Sequence, residues 1–118
     1  MPYVDGFVLP VPKKNLPAYR KMAKAAGKIW REYGAVDYKE CAADDMDVKM
    51  GVPFPKLVKP KRGETVVFSW IVYKSKAHRD SVNAKIIKDP RIAKMMSGKK
   101  VPFDCKRMAY GGFRTIVE

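Results

Sequence analysis

The chain has 118 residues, of which 47% are hydrophobic and 31% are charged, and its formal net charge at neutral pH is +13. This length predicts one domain spanning residues 1–118. The composition is more hydrophobic than that of disordered chains and so excludes this class of protein. No apolar stretch reaches membrane-spanning length, and the amino terminus lacks the basic and apolar run of a secretory signal. We therefore expect a cytoplasmic protein without a membrane segment.

The chain begins with a predicted strand followed by an amphipathic helix. Residues 3–9 alternate as a strand does, and Pro10 and Pro12 are expected to end it because proline cannot continue a ladder. Apolar residues then recur at three-and-four spacing over residues 16–33, which is typical of one helical face. Gly34 is placed to close this helix as a left-handed cap.

The middle of the chain predicts a second strand, a long loop and a third strand. Residues 35–42 alternate with a polarity that is typical of a sheet edge, and residues 43–63 carry three prolines without any period. The strand over residues 64–73 is apolar on both faces, with Phe68 and Trp70 on one of them. Since helices cover only one face of a small sheet, the other face is expected to be covered by a second copy of the chain.

The last third of the chain predicts two helices and a final strand. Ser75 is placed to cap a helix over residues 76–88, and Asp89 to cap a shorter helix that Gly98 closes. Residues 107–117 predict the last strand. This order gives an α+β fold, the ferredoxin-like βαββαβ arrangement with an antiparallel four-stranded sheet. Two such sheets packed face to face form a dimeric α/β barrel, so we expect a homodimer.

Two side chains are candidate catalytic proton-transfer groups, Asp5 and His78. Asp5 shares a strand face with aromatic side chains, where a carboxylate must be paired or kept protonated. The alternative is that Asp5 pairs with a basic residue such as Arg107 or Arg114 and only fixes the sheet. His78 is the one histidine, and its titration near neutral pH does not distinguish a catalytic role from a structural one.

A pocket inside the dimer is expected to combine aromatic walls with a few polar groups that bind a small organic molecule. The candidate ligand-binding residues are Tyr38, Glu40, Trp70, Arg107 and Tyr110. Arg107 would offer its charge to an anionic ligand. No cofactor or metal is expected, since the acidic run over residues 44–47 lacks the later glycine and glutamate of a calcium loop. Cys41 and Cys105 show no metal-ligand spacing and are expected to be free thiols.

The positive charge supports an alternative function, an anion- or nucleic-acid-binding module. Its surface would be the basic face of the first helix, formed by Arg20, Lys24, Lys28 and Arg31. An RNA-recognition fold has the same element order, and Phe68 with Trp70 resembles its base-stacking aromatics. That signature needs a glycine immediately before the first aromatic, whereas Gly63 lies well upstream. The scattered basic residues are more typical of a surface tuned for solubility, so nucleic acid is the less favoured ligand.

Seven segments spread over nearly the whole chain together resemble one family. They are residues 3–8, 68–73, 78–80, 89–91, 103–104, 107–108 and 110–113. The chain is similar in them to the uncharacterised YbaA-like family (DUF1428), a bacterial domain of unknown function placed in the dimeric α/β-barrel superfamily. The resemblance implies that fold and pairing. Superfamily relatives include small monooxygenases and isomerases that work between sheet and helices without a tightly held cofactor, so it leaves open whether this chain is an enzyme.

Overall fold

The computed structural model describes residues 1–97 and 101–118, and its elements follow the predicted order. They are β1 (Tyr3–Pro12), α1 (Leu16–Glu32), β2 (Asp37–Ala42), α2 (Phe54–Val58), β3 (Glu64–Tyr73), α3 (Lys76–Lys88), α4 (Pro90–Met96) and β4 (Ala109–Arg114), with short 3-10 turns at Lys13–Asn15 and Cys105–Arg107. The strands form one antiparallel sheet in the order β2-β3-β1-β4. This α+β arrangement with β1 and β3 at the centre is the predicted ferredoxin-like order.

The register between β1 and β3 determines which side chains face the helices. Leu9 lies opposite Val67, and Asp5 lies opposite Ile71. All four are buried on the face that α1, α3 and α4 cover. Burying one such aliphatic side chain stabilises the fold by about 1.5–3 kcal/mol, so this face is the main source of hydrophobic stability.

Strand β1 continues through both prolines to Pro12, so the prediction that they end it is wrong. The backbone N–H of Lys13 donates to the carbonyl of Gly63 at 2.8 Å, which means that odd-numbered residues of this strand bond to β3. Pro10 and Pro12 therefore direct their nitrogens to the opposite edge. Strand β4 ends there with Ala109 opposite Val8, so no ladder partner needs an N–H from either proline.

Three predicted helix ends are confirmed, at Gly34, Ser75 and Asp89, whereas Asn15, a plausible cap of α1 by its position, makes no side-chain capping hydrogen bond. Gly34 has a φ of +110°, as a left-handed cap requires. The Ser75 hydroxyl accepts from the N–H of His78 at 3.1 Å, and the Asp89 carboxylate accepts from the N–H of Arg91 at 2.8 Å. Gly98, predicted to close α4, lies outside the described residues.

Three other boundaries differ from prediction. Strand β2 begins at Asp37, two residues later than expected, although it is the predicted sheet edge. The long loop contains the short helix α2, whose last turn ends at Lys59 with a φ of 53°. The last strand is confined to Ala109–Arg114.

The sheet face opposite the helices carries apolar side chains that the chain covers only in part. We call this surface the open face; it is formed by Val4, Gly6, Val8, Phe68, Trp70, Val72, Ala109, Gly111 and Phe113. The ring of Phe54 in α2 lies 5.9 Å from that of Phe68 and shields this end of the face. Phe68 is still 41% exposed and Phe113 is 62% exposed.

Two further features are the character of the helices and the state of the two cysteines. Among the residues that the structure describes, no helix has both the length and the apolar character needed to cross a bilayer. Cys41 and Cys105 are exposed free cysteines, as predicted.

Candidate ligand-binding cavity

A cavity of about 220 Å³ lies between the helix-facing side of the sheet and the helices. Its sheet wall is formed by Phe7, Leu9, Tyr38, Glu40, Ser69 and Ile71. Its helical wall is formed by Tyr19, Met22, Ala23, Ala26 and Trp30 of α1 together with Ile92, Met95 and Met96 of α4, and Phe103 and Met108 close the remaining side. Most of the lining is apolar, as is usual for small-molecule sites.

The carboxylate of Glu40 is the central polar group of this cavity. Tyr19 donates its hydroxyl to Oε1 at 2.7 Å, and Tyr38 donates to Oε2 at 2.8 Å. Tyr38 and Glu40 are alternate residues of β2 and therefore point to the same side of the sheet, toward Tyr19 on α1. Short bonds of this kind to an ionised acceptor are stronger than neutral ones.

Burial raises the pKa of both tyrosines well above the ordinary value of 10, and the adjacent Glu40 carboxylate raises each further. Their hydroxyls therefore stay protonated at physiological pH. Each donates to Glu40, and the three side chains form a hydrogen-bonded cluster, called here the Glu40 cluster (Tyr19, Tyr38 and Glu40).

An outer groove of about 550 Å³ runs between α1 and β2 on the other side of the Glu40 cluster. Its basic lining residues are Arg20, Lys24, Lys28 and Arg31, the surface considered above for anion binding. Arg31 is engaged by Asp37 at 3.0 Å. Since all three members of the Glu40 cluster line both spaces, the cluster separates the internal cavity from the basic groove.

Asp5 is buried, only 3% exposed, but it does not line the cavity. Its Oδ1 accepts from Nη1 of Arg79 at 2.7 Å. The guanidinium of Arg79 also lies 4.8 Å from the ring centre of Tyr3, a cation–π arrangement. Asp5 therefore pairs with a basic residue, as the alternative expected, but its partner is Arg79 and not Arg107 or Arg114, because α3 brings this arginine over this end of the sheet.

Arg107 makes a bidentate ion pair instead, with its two terminal nitrogens 2.8 and 2.9 Å from the carboxylate oxygens of Glu64. This pairing raises the pKa of Arg107 and holds the pKa of Glu64 below its usual value. A second bond to the carbonyl of Lys59 ties the segment before β4 to the end of the long loop. Arg107 does not line the cavity, so its predicted contact with an anionic ligand has no support here.

His78 is held at the start of α3. Its Nδ1 accepts from the backbone N–H of Lys74 at 3.0 Å, and its ring packs edge-on against Tyr73 with the centres 6.0 Å apart. These contacts fix the imidazole as part of the helix cap. His78 lies outside the cavity lining, and its catalytic role stays a prediction, as does that of Asp5.

The predicted ligand-binding residues do not share one pocket. Tyr38 and Glu40 line the cavity, whereas Trp70 lies opposite Gly6 on the open face, with its ring 5.5 Å from that of Phe68. Tyr110 stacks on Phe7 at 5.6 Å and is exposed at the edge of β4. The expectation of a single aromatic pocket is wrong because Trp70 and Glu40 point to opposite sides of the sheet.

The sequence reasoning did not identify Tyr19, Trp30 and Ser69 as site residues. Tyr19 and Trp30 belong to the apolar face of α1, where helical periodicity gives no distinction between core and cavity wall. Ser69 was a usable signal, because it is a small hydroxyl residue between Val67 and Ile71 on the same strand face. In residues 1–97 and 101–118, no group of three or more histidine, cysteine or acidic side chains is arranged to hold a metal ion.

Comparison with known proteins gives one family and one fold. The model of the family described as "Protein of unknown function (DUF1428)" matches residues 2–105. The chain is 46% identical to "Uncharacterized protein YbaA" of Escherichia coli K12 over 118 residues, which is 100% of this chain and 99% of that protein. The protein of the same name from Shigella flexneri matches with the same identity and coverage.

A solved structure described as a dimeric ferredoxin-like protein from an uncultured marine organism has the same fold. It aligns with a TM-score of 0.52 and 13% sequence identity, covering 100% of this chain and 99% of that one.

Proposed function

Because this chain belongs to the DUF1428 family of proteins of unknown function, we propose a role from its own geometry: it is a one-domain protein that binds a small, largely apolar organic molecule in the cavity between sheet and helices. One observation carries the proposal. The Glu40 cluster places a carboxylate with two donated hydrogen bonds, at 2.7 and 2.8 Å, on the wall of an otherwise apolar cavity of about 220 Å³.

The composition of the lining supports ligand binding over simple packing. Placing a carboxylate against apolar walls is costly even for a half-buried residue such as Glu40, and simple packing gains nothing from it. A cavity of about 150 Å³ with apolar walls is large enough to bind benzene, so this one has room for a ring with a short substituent. The lining also includes Met22, Met95, Met96 and Met108, and methionine side chains adapt their shape to irregular contents.

The open face supports assembly as a homodimer that forms an α/β barrel. Phe68, Trp70 and Phe113 form an apolar surface in the middle and at one edge of the sheet, and α2 covers only one end of it. A second sheet packed on this surface would bury it. The solved relative with the same fold is described as dimeric, in agreement with this arrangement.

Thermal-shift and calorimetric titration with small aromatic compounds tests the cavity. A compound that binds only the folded state at a hundred times its Kd raises the stability by about 2.7 kcal/mol, which is a clear rise in Tm. Ala26 lines the cavity and Ala25 is exposed on the same helix, so Ala26→Phe should abolish binding while Ala25→Phe leaves it unchanged. Equal binding by the Ala26→Phe variant would place the ligand elsewhere.

If the bound molecule is transformed, Glu40 is the group placed to accept a proton from it. Its carboxylate lines the cavity, whereas Asp5 is occupied by Arg79 and His78 caps α3. Turnover that survives Glu40→Gln and disappears in Asp5→Asn would return this role to Asp5.

The second candidate function is anion binding in the basic groove, which is favoured by the alignment of Arg20, Lys24 and Lys28 along one side of α1. An anion bound there would be held mainly by charge, so its affinity would fall steeply with added salt. Anisotropy of a labelled single-stranded oligonucleotide measures this. The double variant Lys24→Gln, Lys28→Gln should weaken binding and flatten the salt dependence, whereas Lys85→Gln, Lys88→Gln on α3 should do neither.

A further inference from the structure

The hydrogen-bonding capacity of the Glu40 cluster limits what it can bind. An ionised carboxylate only accepts, and each tyrosine hydroxyl has one proton to donate. Tyr19 and Tyr38 both donate that proton in a hydrogen bond to Glu40. The hydrogen bonds that the cluster can still make with a ligand in the cavity are therefore all bonds that it accepts. The acceptors are two carboxylate oxygens and two hydroxyl oxygens.

The other lining residues within the described part of the chain add few hydrogen-bond donors and no positive charge to match these acceptors. Among the described residues, no lysine, arginine or histidine lines the cavity. The indole N–H of Trp30 donates to the hydroxyl of Tyr73 at 3.1 Å and is already used. Ser69 supplies one further hydroxyl, which is able to donate or accept. A ligand with a carboxylate or phosphate would thus face a negative charge without a cation to compensate it.

The aromatic walls suit the opposite kind of ligand. Phe7, Tyr19, Trp30, Tyr38 and Phe103 all line the same space, and Trp30 and Tyr38 lie with their ring centres 6.2 Å apart. The face of an aromatic ring attracts a cation, and tryptophan does so most strongly. A carboxylate surrounded by rings is therefore complementary to an organic cation with an apolar body.

We propose that the ligand of this cavity is a small amine, bound through its protonated amino group by Glu40 with its apolar part between the aromatic and methionine walls. This inference rests on the proposed function, since it names the class of molecule that the same cavity takes. The amino group supplies the donors that the Glu40 cluster lacks, and it neutralises the charge of Glu40 on the cavity wall. A charge-assisted hydrogen bond of this type is about twice as strong as a neutral one.

Four probes that share a benzyl group test the proposal by isothermal titration: 2-phenylethylamine, 2-phenylethanol, phenylacetate and ethylbenzene. The benzyl group of these similar-sized molecules carries, in that order, a cation, a neutral donor, an anion or no polar group. We expect the amine to bind about five- to tenfold more tightly than the alcohol, from the difference between charged and neutral hydrogen bonds. Ethylbenzene should bind more weakly than the alcohol, and phenylacetate should bind most weakly.

The variant Glu40→Gln provides the second test, because it keeps the shape of the side chain and removes its charge. In this variant the amine should lose its advantage over the alcohol. The matched control is Asp44→Asn, which removes the same charge from an exposed residue just beyond the end of β2. It should leave the preference intact, which excludes a general effect of net charge.

The outcomes separate this inference from the proposed function. Binding of ethylbenzene or phenylacetate as tightly as the amine would confirm a ligand cavity and overturn the amine assignment. Absence of binding by all four probes would overturn both. The preference measured on the unmodified protein decides the question even if Glu40→Gln fails to fold.

Discussion

The ring of Tyr38 lies directly against the backbone of Gly27 in the middle of α1. A Cβ atom built on Gly27 would stand 2.7 Å from Cδ1 and 2.9 Å from Cε1 of that ring, closer than side chains tolerate. Glycine inside a helix costs about 1 kcal/mol relative to alanine. Here the missing side chain lets Tyr38 reach the hydroxyl position from which it bonds Glu40.

Replacing Gly27 by alanine should therefore destabilise the protein despite the better helix propensity of alanine. Overpacking of this kind costs about 1–3 kcal/mol, which exceeds the gain in propensity. Urea unfolding followed by circular dichroism measures the difference. Ala25→Gly, at an exposed site of the same helix, should cost about 1 kcal/mol by propensity alone. A more stable Gly27→Ala protein would contradict the packing described here.

Tyr19 and Tyr38 should not ionise in the folded protein at pH 10–11, where an exposed tyrosine titrates. Burial raises the pKa of each above 10, so the folded state binds these protons more tightly than the unfolded state does. Their contribution to stability is complete below pH 10 and is lost as the pH rises further. Absorbance at 295 nm during alkaline titration should show these two phenols ionising together with unfolding. If the two phenols ionise before the helical ellipticity is lost, the prediction that they stay protonated in the folded protein is wrong.

Asp89 should make stability fall at acid pH. It is 4% exposed, and its carboxylate accepts from the hydroxyl of Tyr33 at 2.6 Å and from the side chain of Arg91. Arg91 and then Tyr33 hold the pKa of Asp89 well below its ordinary 3.8. The stabilisation is therefore complete above pH 3.8 and is lost as the pH falls below that value.

The substitution Asp89→Asn keeps the helix cap but removes the charge. It should lower the Tm at neutral pH and flatten the dependence of Tm on pH between 5 and 2. Asp104→Asn, at an exposed cap that accepts from Lys106, should change neither by much. An unchanged acid profile in the Asp89 variant would show that other carboxylates control acid unfolding.

Arg79 should matter more for stability than Asp5. Removing one partner of a buried ion pair costs about 3–5 kcal/mol because the remaining charge is left uncompensated. Arg79→Met leaves the carboxylate of Asp5 buried without its cation, whereas Asp5→Asn leaves an arginine that still bonds Asp80 at 2.7 Å. Chemical denaturation should rank the variants in that order. The reverse order would indicate that Asp5 has partners other than this arginine.

The open face should control assembly. Light scattering coupled to size exclusion should give the mass of a dimer for the unmodified protein. Phe68→Glu places a charge within the apolar surface and should give a monomer, because an interface does not bury an unpaired charge. Ile87 is exposed on α3, and Ile87→Glu should leave the dimer intact. A monomeric unmodified protein at micromolar concentration would refute the proposed barrel.

Local sequence patterns predicted most of the helices and strands well. They predicted less well which side chains share a face of the sheet. The bounds of β3 and α3 agree residue for residue with the expected ranges 64–73 and 76–88, because a continuous apolar run and a serine cap define them locally. The continuation of β1 to Pro12 was not predicted, because a strand tolerates proline only where the neighbouring strand has already ended. That information lies in the sheet and is absent from the strand itself.

The candidate site depended on contacts that local patterns do not specify. Tyr38 and Glu40 were recognised as one face of β2, since alternation is enough for that. Their meeting with Tyr19 requires α1 to cross β2 at Gly27, and the side on which Trp70 lies relative to Asp5 requires the register of β1 with β3. Both are tertiary facts, so the sequence identified two of the three members of the Glu40 cluster and wrongly grouped them with Trp70, which lies on the open face.

Pro10 and Pro12 have a further effect on the behaviour of β1 beyond Val8. A foreign strand that docks on a sheet edge needs N–H donors along that edge, and proline supplies none at two successive outward positions. The stretch of the central strand that β4 leaves unpaired thus cannot template growth of the sheet into an aggregate. Replacing the two prolines would restore those donors, and with them a route to fibre-like self-association.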